Sequence, residues 1–256
     1  MSKVIVFDIG NSDVVVGFFD ANILKYSLRI KSLKNENALY FEYRILNFML
    51  EKGISKTDYT KGVVSSVVPS LTPYFVEFCN KFLDFDPILV NPGISKLMKI
   101  NIDNPEELGA DLFVNALAAY TIHQKACIVV DFGTALTFTS VNSKGEILGV
   151  NIVPGIKTAI KSLFSDTSLL PQVKLEIPEK VIGKNSMHSI QSGILIGYEG
   201  LVKELISKIK TEIGEDVTVV GTGGLSSVLT GIFPLFDVID RELTQKGLLM
   251  YGNAYL

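Results

Sequence analysis

The chain opens with "KVIVFDIGNSDVVVGFFD", residues 3–20, in which two apolar runs flank a short polar segment. The first run ends on Asp8, and Gly10, Asn11 and Ser12 come before the second run. Glycine and asparagine tolerate the positive φ angles of tight reversals, so the stretch predicts a β-hairpin. An acid at the end of a core strand also fits a turn that holds a phosphate, with the carboxylate facing a metal ion. The stretch alone leaves both interpretations open.

The same pattern returns in "KACIVVDFGTALTFTSVNSKGEILGV", residues 125–150. An apolar run ends on Asp131, and one residue, a glycine and a small polar residue precede a second β-rich run. A third strand is predicted in both places, over 23–30 and over 147–153. Each half therefore begins as an antiparallel meander of three strands.

The later parts of the two halves also correspond. In the first half we predict a helix over 36–52, a strand over 62–70, a helix over 72–83 and a strand over 88–90. In the second half we predict a helix over 188–212, a strand over 216–227 that ends in glycines, a helix, a strand over 236–239 and a last helix from about 244. Each half thus follows the order β-β-β-α-β-α-β-α. We place the boundary after residue 114, which gives domains 1–114 and 115–256.

This duplication predicts two similar α/β domains that face each other, with Asp8 and Asp131 at the mouth between them. Ligand sites in open α/β sheets gather at such strand ends. A lone acid at a strand end is more often a turn former or a cap. Two acids at equivalent positions of a repeat favour a binding site.

Composition excludes several classes of protein. The 256 residues are 47% hydrophobic with a mean hydropathy of +0.34, which is enough to bury a sizeable core. The net charge of −3 and the lack of a basic block argue against a nucleic-acid partner. No apolar run approaches the ~20 residues of a membrane span, and the N-terminus does not resemble a signal peptide. We therefore expect a cytoplasmic protein without a membrane partner, in which Cys79 and Cys127 are buried, unreactive thiols.

A further acid, Asp111, lies in "NPEELGADLFVNALAAY", residues 104–120. The stretch predicts a helix start near Pro105, a kink at Gly109 and then a helix. Asp111 fits either a capping acid or a catalytic base, and the stretch does not decide between them. A P-loop is excluded, since "IGKNS" lacks the upstream glycine and has Asn185 where serine or threonine is required.

The duplicated layout, with D-x-G-x at the first turn of both halves, resembles the actin, sugar-kinase and Hsp70 superfamily. Within it, eight segments in order resemble type III pantothenate kinases and cover nearly the whole chain. They are "DIGNSDVVVG" (8–17), "SSVVP" (65–69), "NPEELGAD" (104–111), "DFGTALTF" (131–138), "PGI" (154–156), "GKNS" (183–186), "SGILIGYEGLV" (192–202) and "GTGG" (221–224). The resemblance implies two ribonuclease H-like domains with the active site in the cleft between them.

The resemblance also implies an activity, namely ATP-dependent phosphorylation of the primary hydroxyl of pantothenate, the first step of coenzyme A biosynthesis. It implies Mg²⁺, a monovalent cation (K⁺ or NH₄⁺) and a cytoplasmic homodimer. The alternative is a homologue that binds nucleotide and acts as a regulatory factor. The joint presence of Asp8, Asp111, Asp131 and Thr134 favours the enzyme, because a scaffold has no physical need for all four.

The resemblance assigns roles to individual residues. Asp111 is the expected general base, Asp131 the ligand of the monovalent cation, and Asp8 the contact to Mg²⁺ through water. The expected nucleotide-binding residues are Asp8, Ile9, Gly10, Asn11, Ser12, Asp13, Val14, Val15 and Thr134. Those expected to bind pantothenate are Gly109, Ala110, Asp111, Leu112 and Ser186. Gly221, Gly223 and Gly224 fit either an approach to adenosine or an ordinary strand-to-helix turn.

Three positions depart from the family pattern, all on the acceptor side. Leu112 stands where the family typically has arginine, Ile102 where it often has tyrosine, and Ser186 where it usually has threonine. Guanidinium binds a carboxylate with two parallel hydrogen bonds, and leucine has no such donors. Lys157 and Lys161 are candidates for a replacement cation. The nucleotide side is therefore expected to be intact and the acceptor side altered.

Overall fold

The computed structural model describes residues 3–33, 37–165, 174–224 and 230–255. The chain divides into two compact units. Unit 1 comprises Met1–Met98, Asp103–Ala118 and Glu242–Leu256, and unit 2 comprises Lys99–Ile102 and Ala119–Arg241.

The described strands follow the predicted meanders closely. They are β1 Lys3–Ile9, β2 Asp13–Asp20, β3 Ile23–Lys31, β4 Tyr59–Ser66, β5 Ile88–Leu89, β6 Lys99–Ile100, β7 Cys127–Phe132, β8 Ala135–Val141, β9 Glu146–Pro154, β10 Thr218–Thr222 and β11 Val238–Ile239. The described α-helices are α1 Ala38–Glu51, α2 Thr72–Phe78, α3 Ala110–His123, α4 Ile156–Ser165, α5 Ser186–Gln191, α6 Gly197–Ile213 and α7 Leu243–Tyr255.

Both units contain a sheet of the same topology. In unit 1 the order is β3-β2-β1-β4-β5, in which β1, β2 and β3 are antiparallel and β4 and β5 run parallel to β1. In unit 2 the order is β11-β10-β7-β8-β9-β6, which repeats the same pattern and adds the short strand β6 beside β9. The predicted duplication is therefore confirmed, and β6 is an addition that the sequence pattern did not indicate.

The apolar runs at residues 4–7 and 127–130 form central strands that are buried on both faces. In β1, Ile5 and Phe7 belong to a core that also contains residues of α1 and α2. The opposite face of β1 contacts α7, so neither face is left to water. Burial on both faces explains why these strands are continuous apolar runs rather than alternating ones.

Most of the predicted helices are confirmed within the described residues. The periodicity over 72–83 corresponds to α2 followed by a π-helical turn, Cys79–Leu83. The periodicity over 188–212 corresponds to α5 and α6, joined by a π-helical turn at Ser192–Ile196. The predicted 36–52 helix is α1, and its first predicted residue, 36, lies outside the described residues.

Three features differ from the sequence-based expectation. Helix α4 was not predicted, and residues 154–156 before and at its start were noted only as part of a family motif. The helix expected after β10 falls partly on 225–229, outside the described residues, and Thr230–Leu235 form a 3₁₀ helix that contains Pro234. Helix α7 belongs to unit 1, whereas the predicted boundary placed it in the domain 115–256. The prediction differs because the sequence does not show which sheet a terminal helix covers.

Both cysteines are free and buried, as predicted. Burial raises the pKa of the Cys79 thiol to about 12 and that of Cys127 to about 11, which disfavours the reactive thiolate. Within the described ranges, no helix combines the length and the apolar character that a membrane crossing requires.

Candidate active site

The turn after β1 is a hydrogen-bonded hairpin turn that β3 holds in place. The Gly10 N–H donates to the Asp13 carbonyl at 3.0 Å. Ser32, just after β3, donates its hydroxyl to the Gly10 carbonyl at 2.6 Å and its N–H to the Ser12 carbonyl at 3.0 Å. Asn11 and Ser12 are exposed at the tip. The hairpin prediction is thus confirmed, and the turn presents a fixed backbone to solvent.

Asp8, at the end of β1, is partly exposed and lies in a row of three side chains. Its register partners are Val15 on β2 and Ser65 on β4, so the three share one face of the sheet. Ser65 is fully buried, and its hydroxyl has no hydrogen-bond partner in the described part of the chain. The carboxylate therefore has an apolar neighbour on one side and a hydroxyl on the other.

The other predicted nucleotide-binding residues of this hairpin differ in what they can offer. The Asp13 carboxylate forms ion pairs with Lys31 at 2.8 Å and with Arg29 at 3.3 Å, both on β3. Ile9 and Val14 have fully buried side chains. Contacts of Ile9, Asp13 and Val14 with a ligand would therefore come from their backbone.

The second turn, in unit 2, is packed against the start of α4. The Gly133 N–H donates to the Ala135 carbonyl, and the Gly155 N–H donates to the Thr134 carbonyl, both at 3.0 Å. Thr158 donates its hydroxyl to the same Thr134 carbonyl at 2.7 Å. A Cβ at Gly155 would lie 2.4 Å from the carbonyl oxygens of Gly133 and Thr134, so the close approach requires glycine. The positive end of the α4 dipole therefore adjoins this turn.

Three glycines near the end of β10 have three different surroundings. Gly223 has φ +89, and a Cβ there would lie 2.4 Å from Asp131 Oδ1 and 2.6 Å from the backbone nitrogen of the next residue, Phe132. At Gly221 a Cβ would lie 3.1 Å from an aromatic ring, and at Gly224 nothing among the described residues lies within 4 Å. Gly223 is thus needed for a close approach to Asp131, while Gly221 is explained by packing.

Asp131 has the same position in its sheet as Asp8 has in the other. Its register partners are Thr137 on β8 and Thr222 on β10, both buried. The Thr137 hydroxyl has no hydrogen-bond partner within the described ranges. Those ranges contain no group of three or more His, Cys, Asp or Glu side chains that could hold a metal ion.

Asp111 lies in the first turn of α3. Its Oδ1 accepts the N–H of Leu112 at 2.9 Å, and a Cβ at Gly109 would lie 2.5 Å from that oxygen. Burial raises the pKa of the Asp111 carboxyl above its ordinary value of 3.8, and the backbone hydrogen bonds only partly offset this. The carboxylate therefore caps its own helix and is also a stronger base than an exposed aspartate.

The residues predicted for the acceptor are distributed over both units. Ala110 is buried, while Leu112 and Gly109 are partly exposed, and all three belong to unit 1. Ser186 is exposed as the first residue of α5 in unit 2. Lys157, in the first turn of α4, is exposed.

The family model for type III pantothenate kinase matches residues 4–208 of this chain. A type III pantothenate kinase from Dehalococcoides mccartyi is 37% identical over 246 residues, 96% of this chain and 94% of the relative. One from Syntrophobacter fumaroxidans is 40% identical over 94% of each chain. The chain belongs to the type III pantothenate kinase family.

Solved structures show the fold that this family member shares. A protein from Campylobacter jejuni described as a Baf family transcriptional activator superimposes with a TM-score of 0.61, at 18% identity, over 98% of this chain and 100% of that one. A polyphosphate/ATP-glucomannokinase from Arthrobacter gives 0.53 at 12% identity, with both chains fully covered. Together with the two equivalent sheets, these likenesses confirm the predicted fold class of two ribonuclease H-like domains.

Several residues at these turns were not singled out from the sequence of this family member. Ser65, Thr137 and Thr222 lie inside recognised motifs, but alternation along one strand does not reveal which residue of a neighbouring strand is opposite an acid. In the "GKNS" motif, Asn185 accepts the His188 N–H at 2.9 Å and caps α5. Asparagine is a preferred N-cap residue, so the sequence could have predicted this cap.

Proposed function

We propose that this chain transfers the γ-phosphoryl group of ATP to the primary hydroxyl of pantothenate, giving ADP and 4'-phosphopantothenate. The observation that carries the proposal is membership of the type III pantothenate kinase family over nearly the whole chain. The local geometry at Asp8, Asp111 and Asp131 supports it, since each acid lies at an element terminus beside a glycine-containing turn.

Asp111 is proposed as the general base. As the pantothenate hydroxyl oxygen bonds to the γ-phosphorus, the bond from that phosphorus to the β,γ-bridging oxygen breaks and ADP leaves. The hydroxyl proton goes to the Asp111 carboxylate. Because burial raises the pKa of this carboxyl, it holds the proton better than an exposed aspartate would. A positioned base of this kind contributes about 10²–10⁴-fold in rate.

The hairpin turn of unit 1 is proposed to bind the ATP phosphates. Gly10 leaves room for close approach, and exposed Asn11 and Ser12 offer backbone N–H groups and short polar side chains. Thr134 is proposed to add a phosphate contact, favoured by the adjoining α4 N-terminus.

Asp8 fits a water-mediated contact to Mg²⁺, because it is a partly exposed carboxylate at a strand end, and Mg²⁺ usually keeps several waters. The ion neutralises phosphate charge. Asp131 is proposed as the ligand of a monovalent cation, K⁺ or NH₄⁺.

On the acceptor side, Gly109, Ala110, Leu112 and Ser186 are proposed to contact pantothenate. Leu112 cannot bind the pantothenate carboxylate as arginine would. We propose Lys157 for that contact, since it is exposed in the first turn of α4, the helix that adjoins the Thr134 turn. We also propose the cytoplasmic homodimer that the family resemblance implies, and light scattering of the purified protein tests the dimer.

A coupled ADP-release assay with Mg²⁺, run with and without pantothenate in KCl, NH₄Cl and NaCl, tests the main proposal. ADP formation that requires pantothenate and is faster in KCl or NH₄Cl than in NaCl is expected. ADP formation without any acceptor would contradict pantothenate phosphorylation. ATP binding without ADP formation would instead support the nucleotide-binding regulatory factor.

A further inference from the structure

The Thr137 hydroxyl is a buried polar group on β8. The side chain is 7% exposed, and its oxygen has no partner among the described residues. Thr137 lies on β8 directly opposite Asp131 on β7, so both side chains are on the same face of the sheet. Directly opposite residues of an antiparallel pair have Cβ atoms only about 4.5–5.5 Å apart.

An unmade hydrogen bond of this kind needs an explanation, because buried polar groups in folded proteins are almost always paired. Burying a hydroxyl without a partner costs free energy that an apolar residue of the same shape would not cost. A bound ion or water is one of the recognised explanations. A hydroxyl oxygen has two lone pairs, so it can serve as a cation ligand while it keeps its proton.

The internal repeat supplies a comparison for this position. In unit 1 the register partners of Asp8 are Val15 on β2 and Ser65 on β4. In unit 2 the partners of Asp131 are Thr137 on β8 and Thr222 on β10. Asp131 therefore has a hydroxyl-bearing neighbour on both sides, whereas Asp8 has one on only one side.

The charge at Asp131 also fits a monovalent cation. One carboxylate with two neutral hydroxyls gives this row a single negative charge, whereas protein sites for Ca²⁺ usually combine several carboxylates.

We propose that the Thr137 hydroxyl is a direct ligand of the monovalent cation, together with the Asp131 carboxylate, and that Thr222 supports the site from the other side. This inference rests on the proposed function, which assigns that cation to Asp131. In unit 1 the position equivalent to Thr137 is Val15, which has no hydroxyl. Thr137→Val therefore gives Asp131 the same neighbour on this side as Asp8 has.

The test is the thermal stability of the purified protein in KCl and in choline chloride at equal ionic strength. The wild type is expected to melt at a higher temperature in KCl. In Thr137→Val, the KCl concentration that gives half of this stabilisation should rise at least about tenfold. In choline chloride, Thr137→Val should be no less stable than the wild type, because it removes an unpaired hydroxyl. Thr137→Ser keeps the hydroxyl and should keep the response to KCl.

Thr139→Val is the matched control, because Thr139 is a buried threonine on the same strand and the same face, opposite Val129. It should keep the wild-type response to KCl. An unchanged KCl response in Thr137→Val, or no KCl response in the wild type, would overturn the inference. Pantothenate-dependent ADP release by the wild type in the same salts distinguishes a failure of the Thr137 inference from a failure of the proposed kinase activity. If ADP release persists, only the Thr137 inference fails, whereas its absence in every salt removes the proposed function itself.

Discussion

Replacing Gly223 with alanine tests how closely the chain packs against Asp131. Gly223 has φ +89, in the left-handed region where a side chain is strained. The added Cβ would also lie 2.4 Å from Asp131 Oδ1 and 2.6 Å from the Phe132 backbone nitrogen. The carboxylate can turn aside, but Phe132 belongs to the central strand β7, so its backbone cannot move without disturbing the sheet.

The expected loss of unfolding free energy has two parts. An alanine in the left-handed region costs about 1–2 kcal/mol. Overpacking against a fixed backbone typically costs about 1–3 kcal/mol more. Gly214, which ends α6 in the same unit, has φ +67 and nothing within 4 Å in the described part of the chain. Gly214→Ala therefore has the cost of the left-handed backbone but not the cost of overpacking. Replacing glycine with alanine also stabilises the protein by making the unfolded chain less flexible, and this effect is the same in both variants.

The assay is urea unfolding followed by circular dichroism, with the free energy extrapolated to zero urea. We expect Gly223→Ala to lose about 1–3 kcal/mol more than Gly214→Ala. At about 2–4 °C for each kcal/mol, thermal melts should show the same order. Equal losses in the two variants would refute the reasoning, because the close approach to Asp131 and Phe132 would then have no energetic consequence.

Three further predictions concern Asp111, Asn185 and Leu112. Asp111→Asn should lower pantothenate-dependent ADP release by about 10²–10⁴-fold with little change in ATP binding by calorimetry. The folded state raises the pKa of the Asp111 carboxyl, so its ionised form destabilises the fold. Asp111→Asn should therefore melt at a higher temperature than the wild type at neutral pH. This difference should disappear below pH 3.8, the ordinary pKa of the group, where the carboxyl is protonated in the folded and the unfolded state alike. Asn185→Ala should cost about 1 kcal/mol in urea unfolding, since α5 loses its cap bond to the His188 N–H. Leu112→Arg should lower the KM for pantothenate in initial-rate measurements, because arginine can bind its carboxylate.

The first two of these predictions have a control variant in the same chain. Asp103→Asn changes an exposed acid in the segment before α3 and should leave pantothenate-dependent ADP release unchanged. If Asp111→Asn weakens ATP binding as much as turnover, Asp111 has a structural role instead. Asn185→Ser should retain most of the cap. An unchanged KM in Leu112→Arg would mean that the pantothenate carboxylate is held elsewhere, with Lys157→Ala as the next variant.

Much of the fold could be predicted because the central strands and most helices carry strong local patterns. The runs at β1 and β7 are apolar at successive residues, as expected for strands buried on both faces. The 3.6-residue periodicity of α1 and α6 marks one buried side of each helix. Helix α4 has the same signal in Ile156 and Ile160, both buried, but it was not predicted because residues 154–156 were noted only as a family motif.

The sequence by itself determined the repeat, the turns that end on Asp8 and Asp131, and the position of Asp111 at a helix start, because each depends on neighbouring residues along the chain. The tertiary structure decided that Thr137 and Thr222 lie beside Asp131, that Gly223 packs on that acid, and that α7 covers β1 and β4. These contacts depend on strand register and on packing between distant segments. A sequence pattern shows which side of an element is apolar but not which element it meets.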